Sequence, residues 1–155
     1  NSDVIPIAED VIEIFGGVLV GAAADFGIGS IASCISDAEN SVSDFVNAVK
    51  NLERKDFDGI VNGIKDLAEG VKSLPGDIRE CKNAVEGAEE AAKRIEEAIA
   101  TFTDPISLVW HVGKSLIWNG REIYSEINTA IYDWKNQDWY NFGYYTGLAM
   151  FKVLQ

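Results

Sequence analysis

The sequence predicts an all-α fold, a single-domain bundle of about five or six helices closed by one disulfide. Three observations carry this. Apolar residues step by threes and fours nearly everywhere, the pattern of helices with one buried side. No stretch alternates apolar and polar residues as a half-buried strand does. The only cysteines, Cys34 and Cys81, bracket a segment with the helical step. Two cysteines are too few for a zinc site, which takes four ligands, or three and an open position. An isolated pair suits one structural bridge across a helical hairpin, and it places the protein outside a reducing cytosol. The 155 residues make one domain, 1–155, long enough to bury a self-sufficient core.

Residues 1–33 form an apolar, Gly/Ala-rich N-terminal segment. Ile7, Val11, Ile14, Phe15, Val18 and Leu19 suit a helix after Pro6. The glycines at 16, 17, 21, 27 and 29 then leave two readings open, a closely packed buried helix or an irregular hinge. Residues 34–81 form the disulfide-bracketed hairpin. Phe45, Val49 and Leu52 make one apolar face; Phe57, Ile60, Ile64, Leu67, Val71 and Leu74 make the next. The phase breaks between Leu52 and Phe57, and Asp56 is the expected N-cap there.

The helical remainder, 77–155, opens with a helix after Pro75-Gly76. Asp77 is its expected cap and Glu80 its capping-box partner. Ile78, Cys81, Val85, Ala88, Ala92, Ile95, Ile99 and Phe102 form its stripe. Asp104-Pro105 reads as an N-cap followed by Pro at the first helical position. From there Ile106, Val109, Trp110, Gly113, Leu116, Ile117, Gly120, Ile123, Tyr124, Ile127, Ile131 and Trp134 keep the step, in one long helix or two broken at Asn119-Gly120. A last helix follows Asp138, with Trp139, Phe142, Tyr145, Ala149, Met150 and Val153 as its apolar side. A shift of 82 residues aligns Ser43 with Ser125, Ala48 with Ala130, Asp56 with Asp138 and Phe57 with Trp139. The small pairs Gly59/Gly63 and Gly143/Gly147 follow at a slipped offset. A duplication would make the bundle a pseudo-twofold pair of α-hairpins.

The formal net charge is -12, and residues 1–49 contain no Lys or Arg. Nucleic-acid binding needs phosphates neutralised by basic side chains, so that class is excluded. Adhesion to anionic lipid is disfavoured for the same reason. The charge keeps the chain soluble and suits a basic partner or divalent cations. The uncharged run between Glu13 and Asp25 is too short to cross a bilayer, so no transmembrane segment is expected. No Asn-x-Ser/Thr acceptor occurs, and a start at Asn1 without Met suits a processed N-terminus.

Catalytic chemistry is sparse. His111 is the only histidine, which rules out a symmetric di-metal site built on paired Glu-x-x-His motifs. Ser107 and Ser115 lie one turn either side of it, with no strained elbow or oxyanion loop beside them. His111 is expected to be a partly buried structural residue. The glutamates between 86 and 97 lie opposite the apolar stripe and read as a solvated face. Asp56-Phe57-Asp58-Gly59 resembles the start of a calcium loop, but its twelfth position is Leu67 where Glu is required. No catalytic residue, metal or cofactor is expected.

Two features point to association. Gly17, Gly21, Gly29 and Ser33 recur at multiples of four, a spacing that lets helices approach closely within a bundle or between subunits. Trp134, Trp139, Tyr140, Phe142, Tyr144 and Tyr145 crowd twelve residues, more than one helix side can hide. They are candidates for an interface or an apolar-ligand contact, with a wide buried C-terminal helix as the alternative.

The arrangement of Cys34 and Cys81 followed by Asp138-Trp139, Phe142-Gly143 and Gly147 resembles small secreted two-cysteine α-helical proteins of unicellular eukaryotes. The resemblance implies an extracellular, non-enzymatic role and transfers no active site. The expected function is a secreted structural or interaction protein, a self-assembling subunit of an extracellular filament or surface layer. The alternative is a carrier of an apolar small molecule between helices.

Overall fold

The computed structural model describes residues 4–22, 31–81 and 88–155, and their regular structure is entirely helical. Helix α1 (Ala8–Gly21) begins where the Ile7 N–H donates to the Asp10 carboxylate at 3.0 Å. Glu9 and Asp10 sit in its first turn, where the exposed N–H groups favour negative charge. Val11, Ile14, Phe15, Val18 and Leu19 are buried, while Ile7 caps the helix and is exposed. Of the two readings of the glycine-rich stretch, the closely packed buried helix holds through Gly21. Asp25, Gly27 and Gly29 lie outside the described residues, as do Val85 and Glu86.

A short 3-10 turn (Ala38–Ser41) leads into α2 (Val42–Arg54), which buries Phe45, Ala48, Val49 and Leu52. Lys55 turns the chain with a left-handed backbone, φ 61°. Asp56 then caps α3 (Phe57–Gly70), its Oδ1 accepting the Gly59 N–H at 2.7 Å. The predicted hairpin is present, with one difference. Phe57, expected inside, is 42% exposed, because it sits at the first helical position above the corner.

The single helix expected from 77 onward is two. Helix α4 (Leu74–Arg79) starts earlier, since Pro75 belongs in a first turn, and Asp77 lies inside it instead of capping it. The helix ends at Glu80. Cys81 has left it and is bonded to Cys34, with the Cα atoms 5.3 Å apart. Helix α5 (Ala88–Thr103) continues the stripe with Ala88, Ala92, Ile95 and Phe102 buried. Arg79 ties the two helices by ion pairs to Glu89 and Glu96.

Helix α6 (Pro105–Lys135) is capped by Asp104, whose Oδ1 accepts the Ile106 N–H at 3.1 Å. It is one helical run with a kink at Asn119 (φ -132°, ψ 22°), so the two readings of this stretch meet in between. Gln137, with φ 59°, and the cap Asp138 turn the chain into α7 (Trp139–Leu154). The two hairpin corners therefore match in detail. Each places a left-handed residue, an Asp cap and an aromatic in succession at the 82-residue shift.

The main packing runs α1 on α7, α2 on α3, and α6 on α7. Buried rings link these layers. Trp134 meets Trp139 and Phe142 edge-on at 5.0 and 4.8 Å, and Phe45 lies between Phe142 and Phe15 at 6.3 and 6.1 Å.

Candidate interaction surface

The small residues come together inside the chain. A Cβ on Gly17 would meet the Tyr140 carbonyl oxygen, and one on Gly143 would meet the Ile14 carbonyl oxygen. One turn further, a Cβ on Gly21 would lie 3.3 Å from the Gly147 carbonyl carbon, and one on Gly147 would lie 3.2 Å from Val18 Cα. Glycines spaced by four on both helices thus let α1 and α7 approach backbone to backbone, the geometry known from membrane helix pairs. On α3, a Cβ on Gly59 would meet the Asn51 carbonyl oxygen of α2, and one on Gly63 would meet the Leu52 side chain.

The C-terminal aromatics divide by side. Trp134 and Phe142 are fully buried and Trp139 nearly so; Tyr140, Tyr144 and Tyr145 are half-buried. His111 is half-buried between the rings of Phe102 and Trp110, at 6.4 and 4.9 Å.

The large exposed apolar residues are elsewhere. Before the kink, α6 buries Leu108, Val112 and Ser115, and the Ser115 hydroxyl donates to the Val153 carbonyl of α7 at 3.2 Å. The opposite face carries Ile106 (82% exposed), Val109 (47%), Trp110 (59%) and Ile117 (80%), with Trp118 (78%) at its edge. Ile106, Val109, Trp110 and Ile117 are members of the stripe expected to lie inward. The correction has a physical cause. Residues 105–118 are apolar on both sides, and the side spaced 108, 112, 115 is the one the bundle covers, with Ser115 bonded to α7 and Leu108 beside Val61 of α3 and Phe102 of α5. After Asn119 the expected stripe does turn inward, burying Ile123, Ile127, Ile131 and Trp134. Sequence reasoning missed the outward face, although the double stripe in this stretch was its signal. Lys114 lies over the Trp110 ring, 5.0 Å from its centroid.

Recesses also mark the described surface, one of about 510 Å³ lying open by Ile5, Val42 and Val46. A polar one of about 370 Å³ lies between the 3-10 turn and helices α2, α3 and α4, lined by Asp37, Asp44, Glu69, Lys72 and Asp77 among others. Burial, then Glu69 and Asp66, push the Asp44 carboxyl up, with Lys72 pulling it down. Burial, then Glu80 and Asp37, push Asp77 up. Among the described residues, no three His, Cys, Asp or Glu side chains converge to hold a metal ion. A smaller recess, about 120 Å³, is lined by Val61, Phe102, Leu108 and Val109 with their neighbours. No described helix is long and apolar enough to cross a membrane.

The fold and this surface define a disulfide-bridged helical bundle that presents an uncovered apolar helix face. The chain belongs to the SctB-like family, described as secreted protein B-like, whose model matches residues 1–154. It is accordingly a secreted protein, of a secreted-protein family that is not a known enzyme family. Neither the curated proteins nor the solved structures contain a match to it. The secreted character implied by the earlier resemblance is thereby shown; the group of organisms named there is no part of the finding.

Proposed function

We propose that this secreted protein is a non-enzymatic structural or interaction protein that works by self-association, as a subunit of an extracellular assembly such as a filament or surface layer. The observation that carries this reading is the outward apolar face of α6. Burying a large side chain of this kind is worth roughly 1.5–3 kcal/mol, so a face of five exposed ones is costly to leave in water. Contiguous apolar patches on otherwise well-packed proteins mark association sites. The carrier alternative has less support. The recess beside Val109 is well under the roughly 300–1,000 Å³ of ordinary ligand pockets, and the one of about 510 Å³ by Ile5, Val42 and Val46 lies open to solvent where a carrier needs an enclosed cavity.

Sedimentation of the disulfide-intact protein from dilute to concentrated solution tests the reading. The mass is expected to rise above the 16.9 kDa of one chain. Added salt should strengthen the association, because it screens the repulsion between chains of charge -12 while leaving apolar contact intact. A mass that stays at one chain under every salt and calcium condition would sink the proposal and move the carrier reading ahead.

A further inference from the structure

We infer that the α6 face is the contact itself, and that the occupant is the same face of a second copy, laid antiparallel about Gly113 as a twofold pair. This deepens the self-association reading and rests on it. Three observations select a second copy. The first is charge. Pro105 to Gly120 contains no Asp or Glu, in a chain whose net charge is -12. A basic partner would be drawn to the acidic surfaces, and two copies meeting elsewhere would bring carboxylates together. This face is where two copies avoid that repulsion.

The second is area. At their observed exposures, the five large side chains offer on the order of 700 Å², close to the ~800 Å² that each partner contributes to a standard interface. The third is shape. Gly113 falls on the same outward face as Ile106, Trp110 and Ile117 by helical spacing, and Gly120 follows just past the kink at Asn119. Unlike the glycines of α1 and α7, they are unfilled. A Cβ on Gly113 would meet only Phe57 Cε1, at 4.0 Å, and one on Gly120 would meet nothing within that range. A twofold through Gly113 brings the open Gly120 opposite Ile106 and sets Val109 opposite Ile117. The bulky positions of each helix then face the empty or slimmer ones of the other, and the glycines let the backbones close in. Such a contact uses one patch twice and gives a closed dimer, which a second surface would have to extend into any larger assembly.

The test measures the dimer dissociation constant of the disulfide-intact protein and of two variants, Gly113→Leu and Ile117→Glu. Both positions are open to solvent in the single chain, so helical circular dichroism and melting should persist. Each variant is expected to weaken dimerisation by at least about tenfold. Wild-type association that neither variant weakens would overturn this inference and leave the self-association reading standing. A wild-type protein that is monomeric throughout would overturn both. Flotation of a monomeric wild type with phosphatidylcholine vesicles, lost in Ile117→Glu, would assign the face to a lipid surface instead.

Discussion

Asp133 occupies an unfavourable position for a carboxylate. It lies in the last turns of α6, only 8% exposed, and its Oδ2 has no hydrogen-bond partner. Burial pushes its carboxyl up, and the neighbouring Asp138 adds to the shift. Glu13, on α1, is pushed up by burial and then by Asp10 and Asp138, so these carboxylates press on one another across the α6–α7 corner. A negative charge near a helix C-terminus also opposes the helix dipole. The sign follows from linkage. A carboxyl whose folded pKa is raised binds protons more readily folded than unfolded, so its charge destabilises at neutral pH. That penalty fades as pH falls through the folded pKa and is gone below the ordinary value of about 3.9. Asp133→Asn should therefore raise the melting temperature at pH 7 by roughly 2–4 °C, for about 1 kcal/mol relieved. The gap to wild type should shrink on acidification. Equal melting at every pH would mean that Asp133 carries no such penalty.

At the scale of helices, one substitution has opposite signs at two glycines. Gly143→Ala would drive a methyl into the Ile14 carbonyl of α1, and overpacking of this kind costs about 1–3 kcal/mol. Gly113→Ala points into open space, so the better helix propensity of Ala should stabilise the chain by up to about 1 kcal/mol. Chemical denaturation of the two variants checks this, and a stabilised Gly143→Ala would refute the close α1–α7 packing. These helices also show how much the sequence reveals. Helices α2 and α3 are legible because each has one apolar stripe, α1 and α7 because their apolar residues keep the helical step, and Asp56 and Asp138 mark the starts of α3 and α7. The break between α4 and α5 is not legible, because the Ala-rich stripe runs on in phase past Cys81. The outward face of α6 is hidden for a related reason. Periodicity reports that a stripe exists, while the neighbouring helix decides which of two stripes it covers. The spacing of Gly17 and Gly21 likewise announces close packing, but the partner, Gly143 and Gly147, is set by the fold.

For the molecule as a whole, the bridge and the core divide the stabilisation. Cys34 follows α1 and Cys81 follows α4, so the bridge encloses α2, α3 and α4 in a loop of sequence separation 47. Closing such a loop removes freedom from the unfolded chain worth about 4 kcal/mol. A core that runs from α1 through α7 and α2 does not depend on it, since fully buried Phe15, Phe45, Phe142 and Trp134 come from four helices. Arg79 also continues to join α4 to α5 when the bridge is cut. Reduction and alkylation should thus leave the helices formed at room temperature while lowering the melting temperature by about 10 °C. Mass measurement of the unreduced protein should find no alkylated thiol, as an oxidising extracellular setting requires. Loss of helix on reduction at room temperature would show that the core is not self-sufficient. An unchanged melting temperature would show that the bridge does not constrain the unfolded chain as argued.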